Sequence, residues 1–129
     1  SHEVMLPLPF DEAIEKVTVE LKKEGFGVLT RIDVHKAFKE KIGVEFRNYT
    51  ILGACHPKLA HKALSALPEV GLLLPCNVTV ESVEEGESLV RIVDAGAMMR
   101  MAGIDEIADV AAVGSEASER LERVAKALA

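Results

Sequence analysis

Residues 51-ILGACHPKLAHKALSALPEVGLLLPCNV-78 decide how the chain is read, because they carry a strand, a helix and a second strand in succession. Ile51 and Leu52 lie in a strand spanning 45-EFRNYTILGAC-55, to which they, Phe46 and Tyr49 supply β-favouring bulk. Pro57 falls at the first position of a helix, where its missing N–H costs little, and Pro68 stops that helix after Leu67. Residues 71–83 then read as two short strand pieces around Pro75. Cys55 and Cys76 lie 21 residues apart with one helix between them, a length that suits a return to the neighbouring position in one sheet.

The flanking segments extend the pattern. Residues 1–8 read as an edge strand ending at Pro7 and Pro9. Phe10, Ile14, Val17 and Leu21 then recur at helical spacing, with Asp11 as N-cap and Gly25 as stop. Alternation over 26-FGVLTRIDV-34 predicts a strand, after which Asp33 caps a short basic helix over about residues 34–42 that Gly43 ends. Segments 77–83 and 88–94, joined by acidic residues and Gly86, form the clearest hairpin. A Met-rich turn at 95–102 precedes a long helical region from Asp105 to Ala129, with a break expected at Gly114-Ser115. Strands outnumber what helical crossovers can join in parallel, so the fold class is α+β: one domain over 1–129, a mostly antiparallel sheet packed by helices.

Bulk composition sets limits. At 129 residues and 49% hydrophobic, the chain can bury a core without disulfides or metal. The formal net charge of −6, with no run of like charges, makes duplex nucleic acid and anionic membrane surfaces poor partners. The local exception, 31-RIDVHKAFKEK-41, reads as a solvated helix face. No apolar stretch reaches the roughly 20 residues of a membrane span. No basic-then-apolar leader precedes the first strand, so a cytoplasmic location with reduced thiols is expected.

Gly53-Ala54-Cys55-x-Pro57 and Leu73-Leu74-Pro75-Cys76-Asn77, with 25-GFGVLTRIDV-34 upstream, resemble the domain-of-unknown-function family 302 of bacteria and archaea. The similarity covers nearly the whole chain. It implies a compact antiparallel sheet with helices, akin to one half of a TATA-binding-protein-like arrangement, and it brings no established activity.

The candidate chemistry gathers around the two cysteines. Cys55 lies beside the start of the helix that begins at Pro57, where unpaired N–H groups favour an anion such as a thiolate. Lys58, His56 and His61 add positive charge nearby, which suits a small anionic ligand docked at the helix start. Cys55, His56, His61 and Cys76 include the ligand types of a zinc or copper site, without a known ligand spacing. The two cysteines also suit a thiol redox pair, although no C-x-x-C is present. A Cys55 nucleophile with His56 or His61 as base lacks an orienting acid. Packing is the competing account. Small residues at 53–55 would let a helix approach the strand, and the Asn77 amide would satisfy loose backbone groups at a kink. Met98, Met99 and Met101 read as core filler, Glu81, Glu84, Glu85 and Glu87 as hairpin-tip solvation, and Asp105, Glu106 and Asp109 as a helix N-terminal turn. The expectation is a small ligand-binding domain rather than a catalyst, its site at Cys55, His56, Pro57, Lys58, His61, Cys76 and Asn77, and a homodimer through sheet or helix packing. The rival class is a thiol-dependent redox protein or a zinc- or copper-binding one.

Overall fold

Residues 1–129 are all described in the computed structural model. Five strands form one sheet: β1 (His2–Leu6), β2 (Gly27–Asp33), β3 (Tyr49–Cys55), β4 (Cys76–Glu84) and β5 (Glu87–Ile92). The helices are α1 (Phe10–Lys23), α2 (Val34–Ile42), α3 (Pro57–Ala66), α4 (Ala95–Met101) and α5 (Ala108–Leu128), and a 3-10 turn spans Pro68–Leu73. The sheet order is β1-β5-β4-β3-β2, antiparallel throughout. The α+β reading and the hairpin therefore hold, and β4 closes onto β5 with Gly86 supplying the positive φ of the turn.

Alternation along the strands separates the two faces. Leu52 and Ala54 of β3, Val78 and Val80 of β4, and Val90 and Ile92 of β5 point inward and are fully buried. α1 meets them with Ala13, Ile14, Val17 and Leu21, and α5 with Ala117, Leu121, Val124 and Leu128. Each fully buried Val or Leu contributes about 1.5–3 kcal/mol by leaving water. A second, smaller cluster of Ala63, Val70, Met99, Val110 and Val113 joins α3, the 3-10 turn, α4 and the first half of α5.

Several local expectations are corrected, each for a physical reason. Residues 45–48 are irregular, and β3 begins at Tyr49. Phe46 instead stacks edge-on to Phe38 of α2, at 5.2 Å between ring centroids. Residues before Pro75 form the 3-10 turn rather than a strand piece, and the chain enters β4 through a cis Leu74–Pro75 peptide. Asp11 lies in the first turn of α1, with Pro9 at the N-cap. Asp33 occupies the N-cap of α2, but its carboxylate accepts from Thr50 Oγ1 at 2.7 Å instead of capping. Burial pushes Asp33 up, yet the Thr50 and Arg31 bonds outweigh it and hold the carboxyl below its ordinary value. The Met-rich turn is the helix α4. Asp105 and Glu106 precede α5, which runs unbroken through Gly114-Ser115. Gly114 serves close helix approach there, since a Cβ would come within 2.7 Å of Met99 Sδ.

Candidate functional site

β3 ends at Cys55 and α3 begins at Pro57, so His56 is the N-cap between them. Its Nδ1 accepts the Leu59 N–H at 3.3 Å, leaving the ring proton on Nε2. The ring fills the space above Gly25, where a Cβ would lie 2.7 Å from Nε2. It also meets Phe26 edge-on, with centroids 5.5 Å apart. His56 is thus held by three neighbours, and the helix start is occupied by an imidazole rather than by the Cys55 sulfur.

β3 pairs with β4 as expected, but the partner of Cys76 is Ala54, while Cys55 lies opposite Gly27 of β2. Because side chains alternate along a strand, Cys76 shares the inner face with Ala54 and the pleat turns Cys55 the other way. Both thiols are free; Cys76 is buried and Cys55 half-buried. Burial pushes the Cys76 thiol up to about 11, with the nearby Cys55 adding to the rise. That is the reverse of an activated nucleophile.

The two cysteines border one cavity between the end of the sheet and α3, α4 and α5. Its volume is about 30 Å³, and its walls include Phe26, Ala54, Cys55, His56, Cys76 and Met99. Twelve of its thirteen lining residues are hydrophobic, so no charged group stands ready to hold an anion or shift a thiol toward thiolate. The volume admits one or two waters, or the narrow end of an apolar group.

The remaining expected residues lie elsewhere. Lys58 and His61 are exposed on α3 and do not line the cavity, and Pro57 is exposed at the helix start. Asn77 is exposed opposite Gly53, and the local bond is made by its main-chain oxygen, which accepts from Val93 N–H at 3.3 Å. No three His, Cys, Asp or Glu side chains converge on a metal-sized point. Of the four residues expected as metal ligands, the cavity brings together Cys55, His56 and Cys76 and leaves out His61.

Gly53 explains the run of small residues differently from the helix approach expected for it. A Cβ there would overlap Thr30 Oγ1 of β2 and come within 2.7 Å of Pro75 Cγ. Pro75 and Thr30 cover that spot, and no helix does. Glu81 also departs from the hairpin-tip reading: it is 4% exposed, whereas Glu84, Glu85 and Glu87 are at the exposed tip. Arg47 Nε lies 2.6 Å from its Oε2, and Arg91 bonds its Oε1. Burial raises Glu81, but the two guanidinium groups prevail and hold the carboxyl below its usual range. The basic stretch at 31–41 is largely neutralised, with Arg31 and Lys36 both paired to Asp33 and Lys39 to Glu45.

Reasoning from sequence missed Phe26, Met99, Val113 and Ala117 as cavity walls. Of these, Met99 reads from the sequence as core filler, and nothing in the local sequence distinguishes a core residue from one lining a void.

With this geometry in hand, the comparisons are specific. The model of the family described as domain of unknown function DUF302 matches residues 2–128. The chain belongs to the DUF302 family. A crystal structure of an uncharacterized conserved DUF302 protein from Bacillus stearothermophilus is 26% identical, covers 99% of this chain and 97% of that one, and superposes with a TM-score of 0.86. The DUF302 fold is thus shared in full. A search of curated proteins finds no match to the chain. No helix is long and apolar enough to cross a membrane.

Proposed function

We propose that this DUF302 chain is a small, non-catalytic ligand-binding domain whose site is the cavity bordered by Cys55, His56 and Cys76. The carrying observation is the cavity itself: twelve hydrophobic residues of thirteen, a buried protonated thiol, and an imidazole already committed to capping α3. Such walls select a ligand that presents a narrow apolar end, and they supply neither acid, base nor activated nucleophile. Both thiols being free supports a reducing, cytoplasmic setting.

The test uses straight-chain alcohols as probes in heteronuclear NMR titrations of the full chain. Shift changes are expected at Ala54, Cys55, Ala60 and Ala63, and they should vanish in Ala63→Leu, whose added methyl groups fill the space. An absence of shifts at these residues, or shifts that persist unchanged in Ala63→Leu, would overturn the reading.

A redox reading keeps one observation in its favour, the shared cavity of the two thiols. It requires Cys55 and Cys76 to approach within disulfide reach, against the direction that the pleat gives them. Mass spectrometry after exposure to glutathione disulfide, which is reduced to two glutathione thiols, decides it: an intramolecular disulfide, two hydrogen atoms lighter, would support redox function and count against a purely packed pair.

A further inference from the structure

The crossing of α4 and α5 separates two hollows. On one side lies the apolar cavity of about 30 Å³, with Ala95, Met99, Val113 and Ala117 in its wall. On the other lies a cleft of about 260 Å³, lined by Arg100, Asp105, Ser115, Ser118, Glu119 and Glu122. Met99 is the one residue that lines both. The helices cross closely because Gly96 and Gly114 lack a Cβ. One at Gly96 would lie 2.9 Å from Ser118 Oγ and 3.3 Å from Arg100 Nη1, and one at Gly114 would lie 2.7 Å from Met99 Sδ. Ser118 fixes the crossing, since its hydroxyl accepts the Gly96 N–H at 2.8 Å and donates to Asp94 at 3.0 Å. The partition between the hollows is therefore the Met99 side chain, unbranched and easily moved between rotamers.

The cleft wall carries charges of both signs that do not use each other. Arg100, Asp105 and Glu119 make no ion pair, whereas Glu122 is taken by Lys126 at 3.4 Å. One guanidinium and two carboxylates thus face a single small space without meeting. A fatty acid there would satisfy Arg100 and be repelled by the carboxylates; an alkylamine would satisfy the carboxylates and leave Arg100 unmatched. A head group bearing both an ammonium and a carboxylate matches all three. The volume lies below the roughly 300–1,000 Å³ of clefts for drug-sized ligands and suits such a small head.

We infer that cleft and cavity are the two halves of one site for an unbranched aliphatic α-amino acid, an assignment that rests on the cavity reading proposed above. Arg100 takes the carboxylate, Asp105 and Glu119 take the ammonium, and the side chain passes Met99 into the cavity. The cavity as it stands admits the chain end, and movement of Met99 supplies the rest.

Heteronuclear NMR titrations of the full chain at low salt test this with norleucine against butan-1-ol, which carries the same butyl chain without the charged head. Norleucine should bind about tenfold more tightly and shift Ala63 in the cavity, Ser118 in the cleft and the Met99 methyl between them. Arg100→Gln and Glu119→Gln, both at exposed positions, should each weaken norleucine about three- to fivefold and leave butan-1-ol unchanged. Butylamine and pentanoate, each with half of the head, should bind more weakly than norleucine. Norleucine no tighter than butan-1-ol or than either half-head probe, shifts confined to the cleft, or indifference to both substitutions would overturn the assignment. If butan-1-ol still shifts Ala63 in those cases, the cavity reading stands and the amino-acid head alone is rejected. If butan-1-ol shifts nothing, the cavity reading falls as well.

Discussion

The cavity account is most exposed at the Cys76 thiol. In Cys55→Ser that thiol is the only one left, and its rate of exchange with a disulfide reagent can be worked out. An ordinary cysteine titrates near 9.0, and burial with the neighbouring thiol lifts Cys76 to about 11. Two pKa units cut the thiolate fraction at pH 8 about 100-fold. A more basic thiolate is also more nucleophilic, and with a Brønsted slope of about 0.4–0.5 this returns a factor of roughly 6–10. The net chemical slowing is about tenfold. Access adds to it, since Cys76 is only 8% exposed and must wait for local opening. Losing Cys55 removes one of the two causes of the rise, so burial alone has to sustain the effect in this variant. Stopped-flow reaction of the wild type is therefore expected to be biphasic. The fast phase should disappear in Cys55→Ser and the slow phase in Cys76→Ser. The slow rate should keep climbing about tenfold per pH unit up to pH 10. A Cys76 rate equal to that of the unfolded chain, or one that levels off near pH 9, would refute the reasoning. The sign for stability follows from the same shift. The folded value lies above the unfolded one, so this contribution is intact below about pH 9 and lost as pH rises through about 11.

Two further outcomes are expected. Gly53→Ala should destabilise the fold by about 1–3 kcal/mol through overlap with Thr30 Oγ1 and Pro75. Thr30→Ala in the same chain should recover part of that loss, and additivity of the two in urea unfolding would remove the contact from the account. Asp94 accepts the Ala97 N–H and the Ser118 hydroxyl, both at 3.0 Å, so Asp94→Ala should cost about 1–2 kcal/mol. The Ala97 bond leads the causes that hold the Asp94 carboxyl below its ordinary 3.8, so its stabilisation is present above that pH and lost as pH falls through the folded value. Melting temperatures from pH 7 to 2 should accordingly fall less steeply in Asp94→Ala than in the wild type, and identical slopes would refute the link.

How much of this was legible in the sequence depends on the range of the interaction. Element types followed from local signals: the Ile14, Val17 and Leu21 stripe marked α1, and the acidic turn at Gly86 between 77–83 and 88–94 marked the β4–β5 hairpin. The pairing of β3 with β4 followed from one intervening helix. Errors came where a distant partner decided. Asp33 is an N-cap by local rules, yet Thr50 of the next strand claims its carboxylate. Glu81 looked solvated among its acidic neighbours, and only the sheet register brings Arg91 beside it, with Arg47 arriving from the irregular segment before β3. Gly114 suggested a helix break because its reason for being small, the Met99 sulfur of α4, is 15 residues away. At the site, Cys55, His56 and Cys76 border one cavity because sheet pairing brings β3 and β4 together, whereas Lys58 and His61 are exposed on α3, which local sequence does not reveal.

The stretch from Ile51 to Val78 is thus explained mostly by steric fit. Gly53 is small because Thr30 and Pro75 cross it, and Gly25 because the His56 ring lies over it. His56 is an N-cap, and Pro57 follows in the position that tolerates a missing N–H. Ala54 and Cys76 oppose each other as small apolar groups on the core face. Each of these roles is filled by geometry without reference to a ligand. Cys55 is the exception: a half-buried thiol at the rim, it caps nothing and no longer fits the role of helix-terminus thiolate. Cys55→Ala therefore separates packing from binding better than any other substitution in the stretch. A packing role would lower the melting temperature and leave alcohol-induced shifts at Ala60 and Ala63 unchanged. A binding role would do the reverse.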